Sequence, residues 1–219
     1  MWNKTIDCAN EIIKRFEASG IPIPLSSPKN FLTVSSAYSS EKYRRAHIDV
    51  IDVRKTHKLW IMHCTIFPHT DDCSPIFGFD TVCGPTRISG AFHDFSSAGH
   101  PHHPMMRWFD ERVSSLNWKK ERELPEWAKN IFSPAMIAVG AVSDEKEADQ
   151  FISVGLENLD YYLNNVGKTR DKDSDYSTAQ NYYCQNQRMN PHTPRTMKML
   201  GLTDEENLHY MNEVLFPLV

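Results

Sequence analysis

In Arg44-Arg45-Ala46-His47-Ile48-Asp49-Val50-Ile51-Asp52-Val53, side chains alternate between two faces if the segment is a strand: Ala46, Ile48 and Val50 on one, His47, Asp49, Ile51 and Val53 on the other. Both faces carry β-branched apolar residues. The next run, Leu59-Trp60-Ile61-Met62-His63-Cys64-Thr65-Ile66-Phe67, is also apolar on both. A sheet with one wet face shows clean apolar and polar alternation, and this pattern does not. Helices must cover both sides, so the expectation is α/β: a three-layer α/β/α sandwich. Strands are predicted at 31–38, 43–53, 58–67, 76–83 and 87–95. The links between them are too short for a helical crossover, which favours an antiparallel sheet.

Before the first strand, Ile6, Ala9, Ile12, Ile13 and Phe16 fall on one helical stripe, ended by Gly20, Pro22, Pro24 and Pro28. After the last comes a loop, 96–104, rich in Ser, Gly, His and Pro. Helices are predicted at 145–166, 174–189, 194–200 and 204–215, with a strand at 135–142. Gly201 followed by Thr203-Asp204-Glu205-Glu206 reads as a helix stop and a capped restart. No repeat, low-complexity tract or linker divides the chain, so residues 1–219 are expected to form a single domain.

Lys plus Arg number 24 and Asp plus Glu 28, a net charge of −4 without the positive field of a nucleic-acid binder. The longest apolar run, 135–142, is far short of the roughly 20 residues a membrane helix needs. The first residues lack the apolar core of a signal peptide, and the five cysteines form no C-x-x-C pair. These features predict a soluble cytoplasmic protein, neither a disulfide scaffold nor a membrane protein, with Cys64 and Cys83 as core thiols. His100-Pro101-His102-His103 has the composition of metal ligands but no further ligand at helical spacing, so a solvated loop and no metal site are expected. Nucleotide-binding glycine motifs and the G-x-S-x-G hydrolase motif are absent.

A covered sheet makes its polar residues conspicuous. His47 and Asp49 share a face, His63 lies between Ile61 and Thr65 on its own, and Asp94 shares one with Gly90 and Phe92. If these strands are neighbours, two carboxyls and two imidazoles meet in a partly dry space and supply protons near neutral pH. Two readings stay open: that proton-donating cluster, or a solvated strand end at His47 and Asp49 with satisfied core polars at His63 and Asp94. Gln185, Gln187, Arg188 and Asn190 lie towards the end of a predicted helix, where they would bind a polar ligand edge or face water.

The chain resembles the ferredoxin-dependent bilin reductases. The resemblance rests on Arg45-Ala46-His47-Ile48-Asp49, Ile61-Met62-His63-Cys64-Thr65-Ile66-Phe67-Pro68, Pro75-Ile76-Phe77-Gly78-Phe79-Asp80 and Cys83-Gly84-Pro85. It continues through His93-Asp94-Phe95-Ser96, Arg122-Glu123-Leu124-Pro125-Glu126-Trp127, Ile131-Phe132-Ser133, Tyr183-Cys184-Gln185 and Val214-Leu215-Phe216, in family order from about residue 31 onward.

The resemblance implies an α/β/α sandwich that holds biliverdin IXα between an antiparallel sheet and the C-terminal helices. It implies single electrons from ferredoxin, protons from side chains, organic radicals on the pigment and no bound metal or flavin. By the same likeness Asp94 is the central acid touching the pyrrole nitrogens, Asp49 and His63 deliver protons, and His47 couples to His63. Asn190, His192 and Gln187 position the substrate, and Phe216 packs against a ring or the core. The arginine that binds a propionate in related enzymes has no counterpart near Val139-Gly140. Phycocyanobilin-forming members carry Glu where this chain has Asp49. The carboxyl is thereby withdrawn by one methylene from the vinyl group it protonates, which spoils a transfer needing hydrogen-bond distance. Together with the short N-terminus, this is similar to the phage-type members and implies reduction of biliverdin IXα to phycoerythrobilin via 15,16-dihydrobiliverdin. The alternatives are reduction to phycocyanobilin, or a carrier that binds a bilin without reducing it. The expected protein is a monomer docking transiently with acidic ferredoxin through Lys42, Arg44, Arg45, Lys55 and Lys58 or through Lys119, Lys120 and Arg122.

Overall fold

A computed structural model describes residues 1–26 and 32–219. Pro28 and Phe31, the last expected helix breaker and the expected start of the first long strand, lie outside the described residues. Helix α1 (Trp2–Ser19) buries Cys8, Ala9, Ile12 and Phe16 along one stripe. A three-residue strand β1 (Ile21–Ile23) follows where only a break is expected. It sits at the sheet's edge, the position where a strand tolerates a proline such as Pro22.

Next come β2 (Leu32–Ser39), β3 (Tyr43–Val53), the single turn α2 (Arg54–His57), β4 (Leu59–Pro68), β5 (Ile76–Cys83) and β6 (Ile88–Ser96). Helices α3 (Pro104–Val113) and α4 (Glu126–Lys129) lead to the last strand, β7 (Ile137–Val142). Four helices complete the chain: α5 (Glu145–Asn165), α6 (Ser177–Gln187), α7 (His192–Met199) and α8 (Asp204–His209). A π-helical turn, Tyr210–Leu215, follows directly. Among the described residues the seven strands form one sheet in sequence order, every neighbour antiparallel.

Each face has its own core, as the two-sided apolar pattern requires. Ala46, Ile48, Val50, Met62, Cys64 and Ile66 pack with α1, α3 and α5. On the opposite face Ile51, Phe67 and Ile76 meet Tyr183, Cys184, Met197, Leu215 and Phe216 from α6, α7 and the π-turn. Cys64 and Cys83 are fully buried, and all five cysteines are free.

Several local expectations change. The helix at 204–215 starts at a capping box between Thr203 and Glu206 but is α-helical only to His209. His103 is buried rather than solvated: its Nδ1 accepts the Met105 N–H at 3.2 Å and caps α3. Arg45 cannot serve a docking face, being buried with Nη2 donating to the Val214 carbonyl at 2.6 Å. Arg44 is likewise committed, donating to Gln180 Oε1 at 2.7 Å while lying 4.6 Å above the Phe67 ring. Both sit on strand β3, where a side chain has no route to solvent except past the layer above it.

Candidate active site

The strand registers line up two rows of side chains across the face beneath α6, α7 and the π-turn. In one, Asp49 faces His63, His63 faces Asp80 and Asp80 faces Phe92. In the other, two residues along each strand, His47 faces Thr65, Thr65 faces Gly78 and Gly78 faces Asp94. The four ionisable residues singled out in the sequence therefore share one face of one sheet. His47, Asp49 and Asp94 are buried, which excludes a solvated strand end.

Above the first row lies a cavity of about 470 Å³, within the usual range of small-molecule sites. Asp49, Ile61, His63, Asp80 and Phe92 form its sheet wall, Leu124, Trp127 and Phe132 its side, and Gln187, Asn190, His192, Met197 and Tyr210 its roof. Gln187 and Asn190 flank the end of α6 and His192 opens α7, so the sharp turn between these helices brings all three to one opening. Gln187 is fixed further, donating to Tyr183 Oη at 2.8 Å.

Asp49 is hydrogen-bonded on one oxygen and has an imidazole close to the other. Tyr210 Oη donates to Oδ2 at 2.6 Å and His47 Nε2 lies 3.1 Å from Oδ1. Burial works against its charge, yet His47, Ser35 and Tyr210 overcome it and hold the carboxyl below its ordinary value. Burial lowers His47, so the pair keeps its negative charge on Asp49. His63 differs. Burial opposes its charge, but Asp80 Oδ1, 2.8 Å from Nδ1, outweighs that and raises the imidazole above its ordinary value. Its Nε2 is buried without a hydrogen-bond partner among the described residues. The His63 ring stands 5.5 Å edge-on to Phe216 and 6.0 Å from His47. His47 and Phe216 thus back the cavity's wall rather than line it.

Asp94 also lies behind the wall. Ser96 Oγ donates to Oδ2 at 2.6 Å, Ser133 N donates to the same oxygen at 3.0 Å, and Ser133 Oγ donates to Oδ1. Burial nevertheless pushes this carboxyl up to about 6, the serine hydrogen bonds offsetting only part of the cost. Ser133 belongs to the wall of an adjoining cavity of about 670 Å³, and Phe132 separates the two spaces.

Sequence reading passed over Asp80, Tyr210, Ser133 and the cavity-facing placement of Arg122. Asp80 had a usable signal, because alternation along 76–83 puts it on the face of Gly78 and Val82. Tyr210 and Ser133 had none, since each reaches its acid across a long stretch of chain. Arg122, expected on a docking surface, is exposed and also stands at the cavity wall. Among the described residues no group of three or more His, Cys, Asp or Glu side chains is placed to hold a metal. Nor is any helix among them long and apolar enough to cross a membrane.

The chain is 29% identical over 192 residues to phycocyanobilin:ferredoxin oxidoreductase from a Synechococcus species, covering 83% of this chain and 74% of that protein. To the enzyme of the same name from Trichodesmium erythraeum it is 26% identical over 189 residues, 83% of this chain and 75% of that one. The solved structure of PcyX superposes with a TM-score of 0.69 at 27% identity, over 98% of this chain and 99% of that one. Tomato phytochromobilin synthase, solved in complex with biliverdin, gives a TM-score of 0.77 over 99% and 83% of the two chains; at 13% identity this likeness shows the fold alone. The family profile described as ferredoxin-dependent bilin reductase matches residues 22–217. An antiparallel sheet with acids and imidazoles gathered beneath one cavity is thus the frame of an oxidoreductase, and the chain belongs to the ferredoxin-dependent bilin reductases.

Proposed function

We propose that this enzyme reduces biliverdin IXα to phycoerythrobilin in two steps, through 15,16-dihydrobiliverdin. Each step takes two electrons, delivered singly by reduced ferredoxin, and two protons. The unpaired electron resides on the conjugated pigment between transfers, so the protein's part is to seat the pigment and supply protons at chosen carbons. No bound metal or flavin takes part in this reading.

The observation that carries it is the opposed character of two acids on one sheet face. Asp94, pushed up to about 6 by burial, is mostly ionised at neutral pH but takes up a proton far more readily than an ordinary carboxyl, which suits it to pass one to the pigment. Asp49 is held ionised, with one oxygen occupied by Tyr210 and the other beside His47. Where environments push two carboxyls apart, the raised one is the acid. Asp94 therefore directs protonation of the bridge between the C and D rings once the Ser133 hydroxyl turns off it, and Asp49 is too short and too engaged to protonate the D-ring vinyl group. His63, raised by Asp80 through Nδ1 and among the residues lining the cavity, is the second proton donor. Gln187, Asn190 and His192 line the opening and orient the pigment.

Anaerobic turnover with biliverdin IXα and reduced ferredoxin, followed by chromatography, tests the assignment. Phycoerythrobilin is the expected main product, with 15,16-dihydrobiliverdin appearing first. Phycocyanobilin, the product in the names of the curated relatives, would overturn it as the main product.

A further inference from the structure

Asp94 is buried and lines neither cavity. Serines hold both of its oxygens: Oδ2 accepts from Ser96 Oγ at 2.6 Å and from the Ser133 N–H at 3.0 Å, and Oδ1 accepts from Ser133 Oγ. A carboxyl with a value of about 6 is mostly ionised at neutral pH, so each proton it gives up must be replaced before the next transfer. Sealed from water, it reloads only through a hydrogen-bonding group that leads outward.

Ser133 is such a group. Its Oγ sits on Asp94 Oδ1, and the residue lines the second cavity, of about 670 Å³. Ser96 lines neither cavity. The Ser133 main chain is fixed on both sides, its N–H on Asp94 and its carbonyl accepting from Met136 N at 3.1 Å, which leaves only the hydroxyl to turn. The second cavity opens to solvent at exposed Gly99, Asn130, Asp175 and Thr178. With hydroxyls, an amide and a carboxylate on its wall, it is polar and roomy enough to hold water. The other buried hydroxyl there, that of Tyr183, is taken up by Gln187 at 2.8 Å. A serine hydroxyl donates and accepts at once, so it passes a proton along without holding charge.

We propose that Ser133 reloads Asp94 with protons drawn from solvent through the second cavity. This rests on the bilin reading above and adds where its protons come from. In each transfer the Ser133 O–H bond breaks as its proton passes to Asp94 Oδ1. A hydronium ion or buffer acid at the cavity side forms a new O–H bond on the same oxygen and is left as water or the buffer base. The serine stays neutral, no electron moves, and the carboxylate becomes a carboxylic acid. The new O–H points into the cavity, so the hydroxyl has turned off Oδ1 and the acid proton is left for the pigment.

At pH 8 Asp94 is ionised between turnovers, so reloading is needed at every step. A single electron given by reduced ferredoxin to the biliverdin complex, with pigment absorbance recorded afterwards, reads proton uptake directly. Ser133→Ala should slow that uptake about 100-fold, the low end of what a positioned proton transfer contributes, and leave biliverdin affinity unchanged. Ser133→Thr keeps the hydroxyl and should restore most of the rate. Ala179→Trp adds bulk to the wall of the second cavity and should slow uptake as well. In turnover Ser133→Ala should lower kcat with little change in KM. The relay would be overturned by uptake in Ser133→Ala within about two-fold of wild type, by a loss that Ser133→Thr does not restore, or by a fall in biliverdin affinity that accounts for the loss. An Ala179→Trp protein that binds biliverdin and takes up protons at the wild-type rate would overturn the route through the second cavity. Each of these leaves the bilin reading standing, whereas a wild type that does not bind biliverdin would overturn both.

Discussion

Asp94 is an expensive residue. Its carboxyl sits about two units above the ordinary value because burial disfavours the charge, and each unit corresponds to ~1.4 kcal/mol. The folded protein therefore holds this proton more tightly than the unfolded chain does. The stability linked to Asp94 is fully present below pH 3.8 and is lost as pH rises to about 6, leaving a deficit on the order of 3 kcal/mol at neutral pH. Asp94→Asn removes the ionisation. We expect it to unfold at higher temperature than wild type at pH 8, to lose that advantage near pH 4, and to stall the reduction of biliverdin. A variant less stable than wild type at pH 8 would show that the serine hydrogen bonds outweigh the burial cost. Asp49 and His63 follow the same logic with other outcomes, because each has a partner strong enough to overcome burial. Their neighbours, not their residue types, decide which group gives up a proton.

At the scale of elements, the site depends on helices lying close to both faces of the sheet. On the far face, α5 approaches so closely at Gly155 that a Cβ there would come within 2.1 Å of Phe79 Cε2. Phe79 cannot swing away, since it stacks on Phe151 at 4.8 Å and stands edge-on to His93 at 5.3 Å. Gly155→Ala should lower stability by about 1–3 kcal/mol, the usual cost of overpacking, read as a lower denaturant midpoint with an unchanged slope. A neutral result would mean that α5 shifts freely on the sheet. On the near face, the π-turn is held by two arginines: Arg45 on the Val214 carbonyl, and Arg188 on the Asn212 and Phe216 carbonyls at 3.0 and 2.7 Å. That turn aims Tyr210 at Asp49 and seats Phe216 against His63.

For the whole molecule, an acidic ferredoxin needs a local basic face on a chain of net charge −4. The cavity reaches the end of the sheet where β3 turns into β4 and β5 into β6, as Ile51, Ile61, Val82 and Ser89 on its wall show. Lys55, Lys58 and Arg87 are exposed on those same turns, while Lys120 and Arg122, also exposed, sit on the segment beside β7 and Lys119 is paired with Asp144. An acidic partner arriving at the turns comes nearest the pigment. The double substitution Lys55→Glu with Lys58→Glu should therefore raise KM for ferredoxin several-fold at low salt. The two proteins should converge near 1 M salt, where screening acts over roughly 3 Å, while bilin binding stays unchanged. An unaltered KM at low salt would move the docking face elsewhere.

The three layers, the antiparallel order and most strand limits could be read from the chain alone. Alternation is a property of the local backbone: Ala46, Ile48 and Val50 go to one face and His47, Asp49 and Ile51 to the other whatever the rest of the protein does. The same reasoning put His47 and Asp49 on one face and left open whether His63 and Asp94 join them, which the strand registers decide; the family motifs added their chemistry. What local pattern could not supply is the partner of each group. Asp49 facing His63 and His63 facing Asp80 depend on register, which hairpin turns and bulges such as the one between Tyr43 and Arg45 set. Ser133 reaches Asp94 from 39 residues away and Tyr210 reaches Asp49 from 161. The protonation of these acids follows from burial and from those distant hydroxyls, and only the packed chain brings them together.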